Sequence, residues 1–332
     1  MIDFNLLDEI IIQNKSFILT THVNPDADAI GSEIALFKVL KLLKKEVRII
    51  NHSSTPYNLK FLDNNNVVEK FIPEIHTTVL NEYDAIIVLD LNNLSRTVSM
   101  KDYILNSPSK IICIDHHQNP EINADYFFID TEVSATAEII LDFLLIKHKD
   151  FINNEIAIPI YAAIMTDTGS FRFERTTPKL HRDIAFLIEK GANPVEIYDK
   201  IYDQSKFSKI KLLGRTLNSI QLLHNNKLAY MIITQNDFIE TEAEESDTDN
   251  FVNYNLSIEG VCLGLLFIEL KNGFKVSIRS KGDIRADLLA KNFNGGGHKN
   301  AAGARFYEQK MDQNIINKII ENSIDYLKSI GV

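Results

Sequence analysis

Two hydrophobic rhythms alternate along the first 130 or so residues. FILTTH (17–22) is a short run of strand type, and Ile30, Ile34, Phe37, Leu40 and Leu43 follow at helical spacing before VRII (47–50) returns to strand character. AIIVLD (85–90) and KIICID (110–115) are unbroken apolar runs, the pattern of parallel strands buried on both faces. Helical spacing recurs at 135–147, 156–166 and 179–190. Strand–helix alternation of this kind predicts an α/β fold, a mainly parallel sheet flanked by helices.

The rhythm changes near Gln204. One helix is predicted over 207–223, then strands LAYMII (228–233), VCLGLLFIEL (261–270) and FKVSIRS (274–280), a helix at 285–292, a glycine run, and a last helix after Met311. Strands followed by helices point to a smaller α+β domain. The expected division is 1–185, a helical linker 186–212, and 213–332. A chain of 332 residues is long enough for two domains.

Composition narrows the class. An apolar share of 45% and a charged share of 24% suit a soluble globular protein. No apolar run approaches the ~20 residues that cross a bilayer, and MIDFNLLDEII carries acids where an export signal would carry Lys or Arg. Cys113 and Cys262 each lie within an apolar run, which suggests buried free thiols in a cytoplasmic protein. The net charge of −10 argues against coating long nucleic acid. Residues 271–305 run the other way, with eight basic against two acidic side chains, whereas ETEAEESDTD (240–249) reads as a solvated acidic surface.

The chemistry concentrates at strand ends. HVNPDAD (22–28) begins where the first strand stops, Asp90 closes AIIVLD, Asp115-His116-His117 closes KIICID, and Asp167 ends a helical pattern in MTDTG. Ligands of parallel sheets bind outside the carboxyl ends of the strands. Taken singly, an Asp at a strand end is most often a helix cap and Asn24-Pro25 is a turn. Converging on one rim, these carboxylates would repel one another unless divalent cations occupied the site. Carboxylate with imidazole suits Mn²⁺, Fe²⁺, Co²⁺ or Zn²⁺. A pair of such ions ~3.5–4 Å apart serves in-line displacement at phosphorus. The remaining histidines, His52, His76, His148, His181 and His224, have no such company.

HVNPDAD, Asp90, the DHH triplet and the MTDTG aspartate resemble the four motifs of the DHH phosphoesterase superfamily, in order and over the first ~170 residues. The resemblance implies one metal held by His22, Asp26 and Asp90, and a second held by Asp28, Asp90, His116 and Asp167. Asp90 would bridge them, His117 would face the scissile phosphate, and Asp115 would orient ligands from behind. Mn²⁺ is the expected ion, with Mg²⁺, Co²⁺ or Fe²⁺ as alternatives.

In the second half, Arg279 precedes a GGGH run (295–298) followed by AAG. Glycines let backbone N–H groups approach an anion, and a guanidinium can grip a phosphate. This half resembles the DHH-associated domain, and the whole chain resembles the bifunctional oligoribonuclease and PAP phosphatase group (nanoRNases). By that likeness Arg279, Ser280, Gly295, Gly296, Gly297 and His298 would bind substrate in a cleft between the domains. Asn255 departs from the pattern, where a proline is expected after VNY, with little consequence anticipated. The expected substrates are very short RNA oligonucleotides, cut to nucleoside 5′-monophosphates, and adenosine 3′,5′-bisphosphate. A linear or cyclic dinucleotide phosphodiesterase and a non-catalytic nucleotide sensor are the alternatives. No membrane partner or long nucleic-acid track is expected, and a homodimer is the ordinary state for this size.

Overall fold

The computed structural model describes residues 2–118 and 120–332, and for His298 its backbone alone. It forms two compact units, the first ending at Gln204 and the second comprising Ser205–Val332.

The first unit contains strands β1 (Ser16–Thr20), β2 (Glu46–Asn51), β3 (Val68–Lys70), β4 (Ala85–Leu89), β5 (Lys110–Asp115) and β6 (Tyr126–Ile129). Its helices are α1 (Phe4–Gln13), α2 (Ala27–Leu42), α3 (Pro73–Glu82), α4 (Lys101–Leu105), α5 (Thr136–Lys147), α6 (Asn154–Asp167), α7 (Pro178–Glu189) and α8 (Pro194–Tyr202). The sheet is wholly parallel, in the order β3-β2-β1-β4-β5-β6. Side chains alternate across it: Phe17 and Leu19 join a core with Ile30, Ile140 and Ile160, whereas Ile18 joins Leu80 and Ile104 on the other face. Burial on both faces is why these strands read as continuous apolar runs.

From β1 the chain winds outward to β3, and from β4 it winds outward the other way to β6. The winding direction therefore reverses between neighbours β1 and β4, the place where parallel sheets open a crevice for ligands. Helix α2 leaves that crevice and packs closely on α6. A Cβ added at Gly31 would lie 2.4 Å from the Pro159 carbonyl oxygen and 3.0 Å from the Ala163 Cβ, so only glycine permits this approach.

The second unit contains α9 (Phe207–Asn218), β7 (Gln221–Leu223), β8 (Leu228–Ile233), α10 (Gln235–Thr241), α11 (Asn253–Leu256), β9 (Leu263–Leu270), β10 (Gly273–Ser280), α12 (Ala286–Lys291), β11 (Gly296–His298), β12 (Ala301–Tyr307) and α13 (Gln313–Ser329). Its mixed sheet runs β11-β12-β10-β9-β8-β7, with β8 and β9 parallel and the other pairs antiparallel. One face packs on residues of α12 and α13, including Leu289, Ile319 and Leu327, and the other on Leu212, Phe251 and Val252.

The helix expected over 207–223 stops at Asn218. The Ser219 hydroxyl accepts from the Ile232 N–H (2.9 Å) and lies 3.1 Å from the Ile232 carbonyl, and residues 221–223 turn into an edge strand. His224, Asn225 and Asn226, all at positive φ, make the hairpin. The glycine run also differs from the expected loop: Gly296–His298 is a strand paired with β12. Both cysteines are free, but only Cys113 is fully buried; Cys262 is half-buried, its thiol 3.3 Å from the Lys227 carbonyl oxygen. No helix among the described residues is long and apolar enough to cross a membrane.

Candidate metal centre

The crevice between β1 and β4 collects the predicted side chains of the first unit. The His22 Nδ1 lies 2.9 Å from the Val23 carbonyl oxygen, which turns Nε2 toward Asp90 Oδ2 (3.5 Å) and Asp26 Oδ2 (3.9 Å). Asp26 caps α2, its Oδ1 accepting the N–H groups of Asp28 and Ala29 (3.1 Å each), while Oδ2 faces the histidine.

Asp28 is fully buried and accepts N–H bonds from Thr136 (2.7 Å) and Ala137 (3.0 Å) at the start of α5. The N-cap there, Ala135, has no side chain to offer, so Asp28 satisfies those amides from another helix. Asp90 follows β4 in a left-handed conformation (φ 57°), a strained backbone of the kind that clusters at functional sites. The Thr136 hydroxyl donates to Asp90 Oδ1 at 3.1 Å.

His116 Nε2 stands among three carboxylates, 3.5 Å from Asp90 Oδ1, 3.4 Å from Asp167 Oδ2 and 3.8 Å from Asp28 Oδ2. Asp115, buried at the end of β5, accepts from the His116 N–H (2.9 Å) and lies 2.7 Å from His117 Nδ1. Among the described residues three trios could each hold a cation, with their ligand atoms within 4.8 Å of one another: His22-Asp26-Asp90, Asp28-His116-Asp167 and Asp90-His116-His117.

The electrostatics are those of a crowded anionic pocket. Burial, reinforced by the Asp90 charge, raises the carboxyls of Asp26 and Asp28, and burial with the Asp28 charge raises Asp167. For Asp90 burial acts the same way, but hydrogen bonds from His116 and His22 outweigh it and hold the group below the ordinary carboxylate range. Burial works against a charged His116, yet the hydrogen bond to Asp90 and the Asp28 charge lift it to about 9. Three carboxyls raised around a fourth that is held low make a donor set short of positive charge. Mixed oxygen and imidazole donors fit divalent transition ions.

One neighbouring network has no counterpart in the expected set. Asn51 donates to Glu33 Oε2 (2.8 Å) and accepts the Thr21 N–H (3.1 Å), while the Thr21 hydroxyl donates to the Leu89 carbonyl oxygen (2.8 Å). This chain links the buried Glu33 to the ends of β1 and β4, one residue before His22 and Asp90. Glu33 Oε1 is buried without a hydrogen-bond partner among the described residues.

In the second unit, β10 alternates Lys275, Ser277 and Arg279 on one face with Val276, Ile278 and Ser280 on the other. Ser280 is therefore not beside Arg279. It is buried, its hydroxyl donating to the Ile284 carbonyl oxygen (2.6 Å) and accepting from Asn300 Nδ2 (3.0 Å), which makes it a turn residue. Gly295 and Gly297 also have structural reasons: an added Cβ would meet Gly303 O at 2.2 Å and Ala301 O at 2.4 Å respectively. Gly296 is exposed with open space before it, and the side chain of His298 lies outside the described residues. Arg279 donates to the Ile278 carbonyl oxygen (3.1 Å) and makes no carboxylate pair among the described residues. Asn255, the departure from the expected proline, is buried, with Nδ2 donating to the Leu265 carbonyl oxygen (2.9 Å). The acidic stretch is not wholly solvated, because Asp247 and Thr248 are buried.

A parallel sheet with this carboxylate–imidazole crevice, joined to a mixed-sheet unit, defines a phosphoesterase of the DHH family. The chain belongs to that family and is a hydrolase: residues 16–164 match the DHH family N-terminal domain and residues 225–326 match the DHHA1 domain. Within it, the chain is of the oligoribonuclease and PAP phosphatase type. It is 31% identical over 301 residues to the bifunctional oligoribonuclease and PAP phosphatase NrnA of Thermus thermophilus, spanning 89% of this chain and 85% of that one. It is 30% identical over 294 residues to the protein of the same name from Bacillus subtilis, spanning 88% and 90%. A solved exopolyphosphatase-related protein from Bacteroides fragilis superposes with a TM-score of 0.93 at 29% identity, over 98% of this chain and 96% of that one.

Proposed function

We propose that this protein hydrolyses very short RNA oligonucleotides to nucleoside 5′-monophosphates and removes the 3′-phosphate of adenosine 3′,5′-bisphosphate. The observation that carries the reading is the meeting of His22, Asp26, Asp28, Asp90, His116 and Asp167 in one crevice, with distances from His22 and His116 to the facing carboxylates of 3.4–3.9 Å. In the proposed arrangement His22, Asp26 and Asp90 hold one divalent cation and Asp28, Asp90, His116 and Asp167 hold a second, with Mn²⁺ as the favoured ion. Such a pair supplies Lewis-acid polarisation of the phosphate and activation of water.

The chain's own side chains do the rest. Asp115 fixes the ring of His117 through Nδ1, leaving Nε2 for the phosphate or the leaving oxygen. Thr136 and the amides of α5 hold Asp90 and Asp28 in place from behind. Arg279 anchors a substrate phosphate bidentately, and Gly296, in register with Gly303 and Ser277, leaves open space on the edge strand for a sugar or base. The names of the Thermus and Bacillus relatives support this choice of substrates.

The test is the product pattern from a length series of 5′-labelled RNAs with Mn²⁺, run beside adenosine 3′,5′-bisphosphate, pGpG and cyclic di-AMP. Stepwise release of mononucleotides from the short RNAs is expected. Turnover confined to cyclic di-AMP would replace the reading with a cyclic-dinucleotide phosphodiesterase. Binding of metal without turnover of any of them would make the protein a sensor.

A further inference from the structure

The basic face of the second unit is already partly occupied by acid from the same chain. Lys275 and Arg305 sit directly opposite each other on β10 and β12. Two cations so placed repel. Glu245 lies between them, with Oε1 2.9 Å from Lys275 Nζ and Oε2 3.0 Å from Arg305 Nη2. It comes from the acidic stretch, and its backbone is anchored. Asp247, buried one short turn later, accepts the Glu244 N–H at 3.0 Å, and Phe251 and Val252 beyond it are core residues.

Arg279 occupies the same face four residues along β10, an advance of about 13 Å. The floor between is made of small residues: Ser277 opposite Gly303, and Ala301 opposite Arg279. A nucleotide chain anchored at Arg279 and laid along this floor would bring its later phosphates to Lys275 and Arg305.

We propose that Glu245 limits the length of oligonucleotide this protein takes, by filling the cationic pair onto which a longer strand would extend from Arg279. The proposal rests on Arg279 binding substrate. A dinucleotide needs only the Arg279 end and is indifferent to Glu245. A longer strand meets a carboxylate where it would otherwise meet two cations.

Steady-state kinetics of the full chain with Mn²⁺ on RNAs from dinucleotide to heptanucleotide test this. Glu245→Gln is expected to lower KM for the heptanucleotide roughly fivefold, about the net worth of one ordinary hydrogen bond in water, with the dinucleotide KM unchanged. The salt dependence of heptanucleotide KM should steepen by ~0.7 per phosphate newly neutralised, which a purely structural effect of restoring the Lys275–Arg305 repulsion would not produce. An unchanged length profile overturns the proposal. A second variant tests the cause: adding Lys275→Gln and Arg305→Gln to Glu245→Gln should abolish the gain for the heptanucleotide, because the gain comes from those two cations. A triple variant that keeps the gain overturns the proposal. Arg279→Ala separates the two levels. If it leaves dinucleotide KM unchanged, the substrate-binding reading itself fails; if it raises that KM while Glu245→Gln changes nothing, only the length limit fails.

Discussion

Asp115 Oδ1 lies 2.7 Å from His117 Nδ1 and also accepts the backbone N–H of His116 at 2.9 Å. One buried carboxylate thus sets the ring orientation of one histidine and the backbone of the next. An acceptor at this position keeps the proton on His117 Nδ1 and leaves Nε2 facing outward. Asp115→Asn can present an NH₂ group there instead and favour the other tautomer. The expected result is a 10–100-fold fall in kcat, the usual scale for a residue one step behind the chemistry, with little change in KM. A kcat equal to wild type would remove Asp115 from this role.

Asp90 is shared by two of the candidate trios and accepts from Thr136 as well. Its left-handed backbone favours Asn as the test substitution, because Asn tolerates φ near 57° and differs mainly in charge. Bound Mn²⁺ should stabilise the wild type by ~2.7 kcal/mol at a free concentration 100 times its dissociation constant. Asp90→Asn should lose most of that Mn²⁺-dependent rise in Tm and more than ~100-fold in turnover, a larger loss than that expected of Asp115. Thermal melts with Mn²⁺ and with EDTA separate the metal effect from any general destabilisation.

Arg279 carries the corresponding prediction for binding. Replacing it with Ala should raise KM for a dinucleotide about 10–100-fold with kcat largely kept, the scale of a charge-assisted hydrogen bond. Lys at this position should recover only part of the loss, since a point charge cannot form the planar fork. Equal KM values for Arg279→Ala and wild type would move the phosphate contact elsewhere.

The side chains that meet in the crevice are legible because residue type and strand end coincide: His22, Asp90 and Asp115 each sit where an apolar run stops, and parallel topology then forces them together. What the chain order hides is pairing across distance. Glu33 has no sequence signal of its own: α2 is buried on nearly every side from Ala27 to Leu36, so its one glutamate there faces Asn51. The partners of the eight basic residues of 271–305 are likewise hidden in chain order. Glu245 pairs with Lys275 and Arg305, while Asp283 and Asp287 pair with Lys299 and Arg285. The family likeness groups Ser280 with Arg279, although β alternation sends consecutive residues to opposite faces.

Glu33 gives the pH prediction. Burial, with the charges of Asp63 and Asp90 adding to it against the Asn51 hydrogen bond, raises its carboxyl from 4.5 to about 8. A group that holds its proton more tightly when folded contributes stability that is complete below the unfolded value and is lost as pH rises through the folded one. The window is therefore from about 4.5 to about 8. Glu33→Gln keeps an oxygen for the Asn51 amide and has no proton to lose, so its stability should not fall across that window on this account. Near pH 5 little of that loss has accumulated, whereas by pH 8.5 the variant should have gained several degrees in Tm relative to wild type, where ~1 kcal/mol corresponds to ~2–4 °C in a unit of this size. Saturating Mn²⁺ in both samples keeps the neighbouring carboxylates from titrating over the same range. Parallel Tm curves from pH 5 to 8.5 would show that Glu33 stays ionised in the fold and that Asn51 alone suffices to hold its charge.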